Sequence, residues 1–304
     1  MILSPGQQVP VLKLSIFINL VSIFYCKMLS RACFRQFSAS IRRMSSTNIV
    51  ETNIDSGTGF ATVTLSQPPV NSLDKNLLTA ITDRFKKLSD DSSVTGAILT
   101  SKFDGKVFSA GLNIVDMFQK SDDHLGEFWG MVQEWYLTIQ GFPKPLVSAI
   151  NGHAPTGGCA MALMSDYRVM VEGKTIGLNE TLLGIVAPFF FADLMIAAVG
   201  RRHAEFALNN GYLYTSDEAL KIGLVDEVVN LDQVVPTALK ILTKMTKTPQ
   251  PAYQVCKNFL RKETMDTLRN DRAGDIAHFV GFVQQPNVQK AIGGYLQALK
   301  QRKK

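Results

Sequence analysis

Two glycine-bearing turns and one carboxylate are the parts of this sequence whose residue types and spacing could do chemistry. The first turn reads Phe108-Ser109-Ala110-Gly111-Leu112-Asn113, and the second reads Asn151-Gly152-His153-Ala154-Pro155-Thr156-Gly157-Gly158. Each follows an apolar, strand-like run, residues 95–99 and 146–150, and each leads into a helical pattern. Strand-to-helix turns can aim backbone N–H groups at one point, where they can hold a developing oxyanion. Glu180 follows, flanked by Ile176, Leu178, Leu182, Leu183 and Ile185. Apolar neighbours desolvate a carboxylate and raise its pKa, which makes it a better base near neutral pH. Together these residues could move protons on the carbon beside a carbonyl group. The plainer readings are turn glycines that serve packing alone and a first-turn Glu that favours the helix dipole.

At these residues the chain resembles the crotonase (enoyl-CoA hydratase/isomerase) superfamily, from about Asn48 to the C-terminus. The stretch Asn179-Glu180-Thr181-Leu182-Leu183-Gly184-Ile185-Val186-Ala187-Pro188-Phe189 resembles the enoyl-CoA delta isomerases within it. The resemblance implies oxyanion donors at the backbone N–H groups of Leu112 and Gly157 and a catalytic acid/base at Glu180. It also implies substrate contacts from Ala110, Gly111, Leu112, Asn113, Ile114 and Gly157. Asn179 could contact substrate or simply cap a helix. Hydratases of the superfamily carry a second Glu where this chain has Ala160, so the resemblance favours a single-carboxylate shuttle. Such a shuttle takes a proton from C2 and returns it to C4, turning a 3-enoyl-CoA into a trans-2-enoyl-CoA in β-oxidation of unsaturated fatty acids. CoA would be carried by the substrate, with no separate cofactor. The alternatives are another acyl-CoA enzyme of this fold (a hydrolase or weak hydratase) and an RNA-binding or scaffold protein built on it.

Other motifs add constraints. His153 is a second candidate base, or it packs and hydrogen-bonds within its loop. His124, His203 and His278 have no metal-ligand spacing with one another or with cysteines, so no metal is expected. The run Phe189-Phe190-Phe191 reads as the lining of an acyl pocket or as a core cluster. There is no G-x-G-x-x-G, P-loop or G-x-S-x-G, which removes the commonest nucleotide and α/β-hydrolase readings.

The 304 residues, 46% apolar and 19% charged, suit a folded globular chain. The net charge of +6 invites a nucleic-acid reading, but its distribution argues against one. Residues 1–50 hold Lys13, Lys27, Arg31, Arg35, Arg42 and Arg43 and no acid, and the rest balances 26 basic with 26 acidic residues. Residues 14–25 form an apolar run too short for a comfortable membrane span. Residues 28–46 are Arg- and Ser-rich, with Arg31, Arg35 and Arg42 on one helical face and Phe34, Phe37 and Ile41 beside them. That pattern fits a mitochondrial transit segment and a matrix destination, with secretion as the alternative. Cys26 and Cys33 lie in this leader, and Cys159 and Cys256 lack C-x-x-C spacing, so reduced thiols are expected.

The elements that must position the site follow from periodicity. Strands are predicted at 60–65, 95–100, 146–150 and 166–171. Helices are predicted from an N-cap at Ser72 to about Leu88, at 113–119, 122–140, 157–165, 190–199, 203–210, 216–222 and 235–245, with three more from Gln250 onward. Strands alternating with helices call for parallel pairing and an α/β class. The resemblance makes this a crotonase-type spiral of ββα units with a helical C-terminal region. It implies a leader over 1–47, a spiral core over 48–245 and a trimer-building region over 246–304.

Overall fold

The computed structural model describes residues 49–302. The expected transit segment, with Cys26 and Cys33, lies outside the described residues. Four successive units each contribute a long strand, a short strand and a helix. The long strands are β2 (Phe60–Leu65), β4 (Gly96–Ser101), β6 (Leu146–Ile150) and β8 (Tyr167–Val171). The short ones are β3 (Ser72–Leu73), β5 (Gly111–Leu112), β7 (Ala154–Pro155) and β9 (Thr175–Gly177). The helices are α1 (Lys75–Asp90), α2 (Asp122–Gln140), α3 (Gly157–Leu163) and α4 (Phe189–Asn210).

The long strands pair in parallel in the order β2-β4-β6-β8. At the edges, β1 (Val50–Ile54) adds antiparallel to β2, and β11 (Glu227–Val229) adds parallel to β8. Every residue of β4 and β6 is buried, as expected for strands covered on both faces. The short strands pair separately, β3 with β5 and β7 with β9, so the chain climbs as a spiral with its turns stacked between the two layers. β10 (Tyr214–Thr215) closes the β7–β9 layer, and α5 (Ser216–Lys221) and α6 (Val234–Met245) follow.

Local chemistry accounts for the differences from expectation. The first helix starts at Lys75 rather than after Ser72, because Ser72 is held in β3 opposite Gly111 and Asp74 caps the helix by accepting from the Leu77 N–H. The predicted helix over 113–119 is a single 3-10 turn, Ile114–Met117, capped by Asn113. The two helices expected over 190–210 form one element broken at Gly200, whose φ of 74° no helix accommodates. β1 and the two-residue strands escape periodicity altogether.

The C-terminal helices α7 (Gln250–Asn270), α8 (Arg272–Val283) and α9 (Pro286–Arg302) fold back onto the spiral. α7 is tied down by charge. Lys257 Nζ lies 2.6 Å from Asp166 Oδ2 and 3.0 Å from the Lys144 carbonyl, while Arg261 reaches the other Asp166 oxygen at 2.7 Å. Asp166 also accepts from the Leu146 N–H at 2.8 Å, so one carboxylate joins α7 to two central strands. Burial pushes the Lys257 amine down to about 8 against the pull of Asp166, which is the signature of an ion pair whose desolvation is only partly offset. Removing one partner should therefore hurt more than the pair itself is worth. Asp166→Ala is expected to lower the unfolding free energy in urea by about 3–5 kcal/mol. A loss below about 1 kcal/mol would mean that water already screens the cluster.

Candidate active site

The two glycine turns meet directly. Gly111 has φ +82°, and a Cβ there would run into the Thr156 side chain and stand 2.8 Å from the Gly157 nitrogen. A Cβ on Gly158 would collide with the Ser109 carbonyl oxygen. Only glycine allows this approach of backbone to backbone. Thr156, between them, is a β-branched residue at φ 49° and ψ −127°, a conformation such residues rarely adopt. It is held there by its N–H on the Gly177 carbonyl at 2.8 Å and its hydroxyl on the Ala110 carbonyl at 3.2 Å. Strain of this kind persists only when the surroundings over-determine it.

The consequence is a pair of neighbouring N–H groups. Gly157 is the first residue of α3, and the first intrahelical bond there runs from the Ala160 N–H to the Thr156 carbonyl, so the Gly157 N–H has no acceptor inside the helix. Just after β5 the Asn113 N–H donates to the Leu73 carbonyl at 3.1 Å, and strand alternation turns the Leu112 N–H the other way. A Cβ on Gly157 would sit 3.1 Å from the Leu112 nitrogen, which places the two donors side by side.

Glu180 opens a 3-10 turn, Glu180–Leu183, between β9 and α4. It is 4% exposed, and neither carboxylate oxygen has a hydrogen-bond partner. Desolvation pushes its carboxyl up to about 8, with only its own backbone N–H pulling the other way. Glu180 and Leu112 line one cavity of about 360 Å³. Its remaining walls are largely apolar and come from Met117, Trp129, the 185–191 segment and α8.

The other expected site residues build the frame. Gly157 is buried against Leu112, with room for no side chain between them. Ala110 is engaged through its backbone, donating to the Val70 carbonyl and accepting from Thr156. Asn113 caps the 3-10 turn and donates to Asp116 at 2.9 Å, and Ile114 packs in the core. Asn179 occupies the cap position before Glu180 without making the cap bond, and its Oδ1 is buried without a partner. Ala160 is fully buried in the core cluster. His153 accepts from the Thr175 N–H at 3.2 Å and pairs with its hydroxyl at 2.9 Å, away from the cavity. Burial, then Lys174, lowers its pKa, so it serves the loop as a neutral ring.

The phenylalanine run splits. Phe189 and Phe191 line the cavity, whereas Phe190 packs against Tyr136 with ring centroids 4.7 Å apart. Sequence reasoning missed Trp129, Asp275, His278, Phe279 and Phe282, all on the cavity. The available signal was the apolar face of the pattern beginning at Arg272, which has no partner in its own sequence neighbourhood.

Comparison with known proteins agrees with this geometry. The sequence model of the enoyl-CoA hydratase/isomerase family matches residues 55–303. The mouse (Mus musculus) protein named enoyl-CoA delta isomerase 1, mitochondrial, is 47% identical over 247 residues, covering 81% of this chain and 85% of that protein. The crystal structure of human mitochondrial delta3-delta2-enoyl-CoA isomerase superposes with a TM-score of 0.83 at 41% identity, covering 84% of this chain and all of that one. An enoyl-CoA hydratase from Bacillus halodurans superposes with a TM-score of 0.73 at 25% identity, covering 81% of this chain and 99% of that one. The chain belongs to the enoyl-CoA hydratase/isomerase family.

Proposed function

We propose that this protein is an enoyl-CoA delta isomerase that converts 3-enoyl-CoA to trans-2-enoyl-CoA during β-oxidation of unsaturated fatty acids. The observation that carries the reading is Glu180, which lines a largely apolar cavity while neither of its buried carboxylate oxygens has a hydrogen-bond partner. In the proposed step the thioester oxygen is held by the N–H groups of Leu112 and Gly157. Glu180 removes a proton from C2, the C3–C4 double bond moves to C2–C3, and Glu180 returns the proton to C4. No atoms are gained or lost, and no group beyond the CoA carried by the substrate is required.

Two features favour isomerisation over hydration. Ala160 supplies no second carboxylate beside Glu180. The other carboxylates on the cavity are committed elsewhere: Asp271 accepts from the Gly274 N–H at 3.0 Å, and Asp275 accepts from Trp129 and Gln133. The mitochondrial names of the relatives and the acid-free leader support placement in the mitochondrial matrix. A homotrimer is supported by Val255, Phe259 and Leu260, which are 68%, 77% and 81% exposed on α7, too large an apolar strip for a free surface.

Glu180→Gln keeps the shape of the side chain and removes the base. Turnover of 3-hexenoyl-CoA, followed by absorbance of the conjugated thioester, is expected to fall by about 10⁴ or more, the top of the range for general acid–base groups. A variant that kept a tenth of wild-type activity would place the base elsewhere.

The pH dependence has a definite sign. A base that must be ionised should give a kcat/KM that rises with pH through about 8. The same shift acts on stability. Because the folded pKa lies above the ordinary value of 4.5, the folded state binds the extra proton, and this contribution is full below about 4.5 and lost as pH rises through about 8. Glu180→Gln lacks the titration, so its stability relative to wild type should climb across that window in parallel urea titrations. Parallel curves for the two proteins would contradict the assigned shift.

A further inference from the structure

The cavity has a floor and a mouth. Its exposed lining residues, Val186, Phe189, Thr267, Asp271, Gly274 and His278, mark the mouth, and Met117, Trp129 and Phe191 form a buried floor. Trp129 is the largest of these floor residues, 3% exposed, and it is fixed in every direction. Its ring stacks on Phe279 with centroids 3.8 Å apart and planes 7° from parallel. The Phe190 ring, tilted by 47°, has its centroid 6.1 Å away on the core side. The indole N–H donates to Asp275 Oδ2 at 2.7 Å, and Gln133 Nε2 donates to the same oxygen at 2.7 Å. Gln133 is itself fully buried and held by Arg272, whose Nε donates to its Oε1 at 3.0 Å.

Hydrogen bonds to an ionised acceptor are stronger than neutral ones and strongly directional. A stacked ring that also spends its only donor on such an acceptor cannot swing aside as a Met side chain would. Asp275 is thus an unusual feature of an apolar wall: a carboxylate facing a fatty cavity, used to lock an aromatic ring.

Resting on the acyl-CoA reading above, we infer that Trp129 is the stop that sets the longest acyl chain the cavity accepts, and that Asp275 is the positioning residue that holds it in place. The thioester end is fixed at Leu112 and Glu180, so a chain extending from there gains apolar contact until it reaches the indole. Each methylene that finds a wall should improve binding about fourfold, and each one beyond the stop should add nothing.

The test is a binding ladder of saturated acyl-CoAs, from hexanoyl to hexadecanoyl, titrated calorimetrically into the purified protein. This reads the wall without turnover. Wild-type affinity should rise with chain length and then level off. Trp129→Ala should move the levelling point out by two or more carbons, with a gain of about tenfold or more for the first chain beyond the wild-type stop. Asp275→Ala should move it in the same direction by less, and Asp275→Asn, which keeps an acceptor oxygen but not the charge, should fall between Asp275→Ala and wild type. If Trp129→Ala does not fold, Trp129→Phe and the Asp275 pair carry the same comparison. A levelling point unmoved in the alanine variants, or a wild-type ladder that never levels, would overturn the inference alone. Failure to bind acyl-CoA at any length would overturn the reading on which it rests.

Discussion

A carboxylate buried without a hydrogen-bond partner is the constraint around which this structure is organised. Glu180 loses the water that would stabilise its charge and receives only the lesser pull of its own backbone N–H in return, so its carboxyl is pushed up to about 8. A carboxyl buried without a side-chain partner is costly to a fold, most of all when it is ionised. It is tolerated here because the turn that bears it is anchored at both ends. Upstream, β9 pairs with β7 and accepts the Thr156 N–H through Gly177. Downstream, Gly184 at φ 75° closes the 3-10 turn, the Thr181 hydroxyl donates to the Leu208 carbonyl at 2.9 Å, and α4 begins. The side chain cannot escape to solvent without unpicking those contacts. That immobility suits the proposed single-residue proton shuttle, whose oxygens would serve C2 and C4 in turn.

The spiral supplies the other half of the site by stacking one unit on the next. β5 is the short strand of one ββα unit and α3 is the helix of the following unit, and the two meet backbone to backbone at Gly111, Gly157 and Gly158. The glycines let the two backbones touch and the Thr156 hydroxyl on the Ala110 carbonyl ties them together, so the spacing of the two N–H donors is set by the backbone junction itself. Such donors need no reorganisation when charge develops, and this is where preorganised sites derive most of their effect. The strained Thr156 follows from the same demand, because bringing Gly157 against Leu112 forces the residue before it into a conformation a β-branched side chain disfavours.

What was legible in the sequence was the part of the site governed by short-range rules. The glycines mark places where a Cβ is excluded, Glu180 is bracketed by the apolar residues that bury it, and the long strands and α2 carry plain periodicity. What was not legible is set by pairing across distance. Ser72 and Asp74 are both good caps, and only the partner strand β5, some forty residues on, decides that Ser72 is a strand residue. Three consecutive phenylalanines look alike in one dimension, yet successive helical residues point about 100° apart, so Phe190 turns to the core while its neighbours face the cavity. Asn179 reads as a cap because of its type, but its side chain makes no cap bond once Glu180 is drawn inward.

The far wall of the cavity was hidden for the same reason, and it explains why the C-terminal helices belong to the site. Trp129 and Asp275 are 146 residues apart, and neither has a distinctive sequence context. α7, pinned to the sheet by Lys257 and Arg261 on Asp166, leads into α8, which Asp275 and Arg272 then tie to α2. The ion-pair cluster below the spiral and the aromatic wall above it are therefore successive links in one chain of positioning. The first fixes where α7 runs, α7 delivers α8, and α8 closes over Glu180 the apolar volume that raises its pKa. Without that closure the carboxylate would face water, regain an ordinary acidity and become a much weaker base, even with both glycine turns intact.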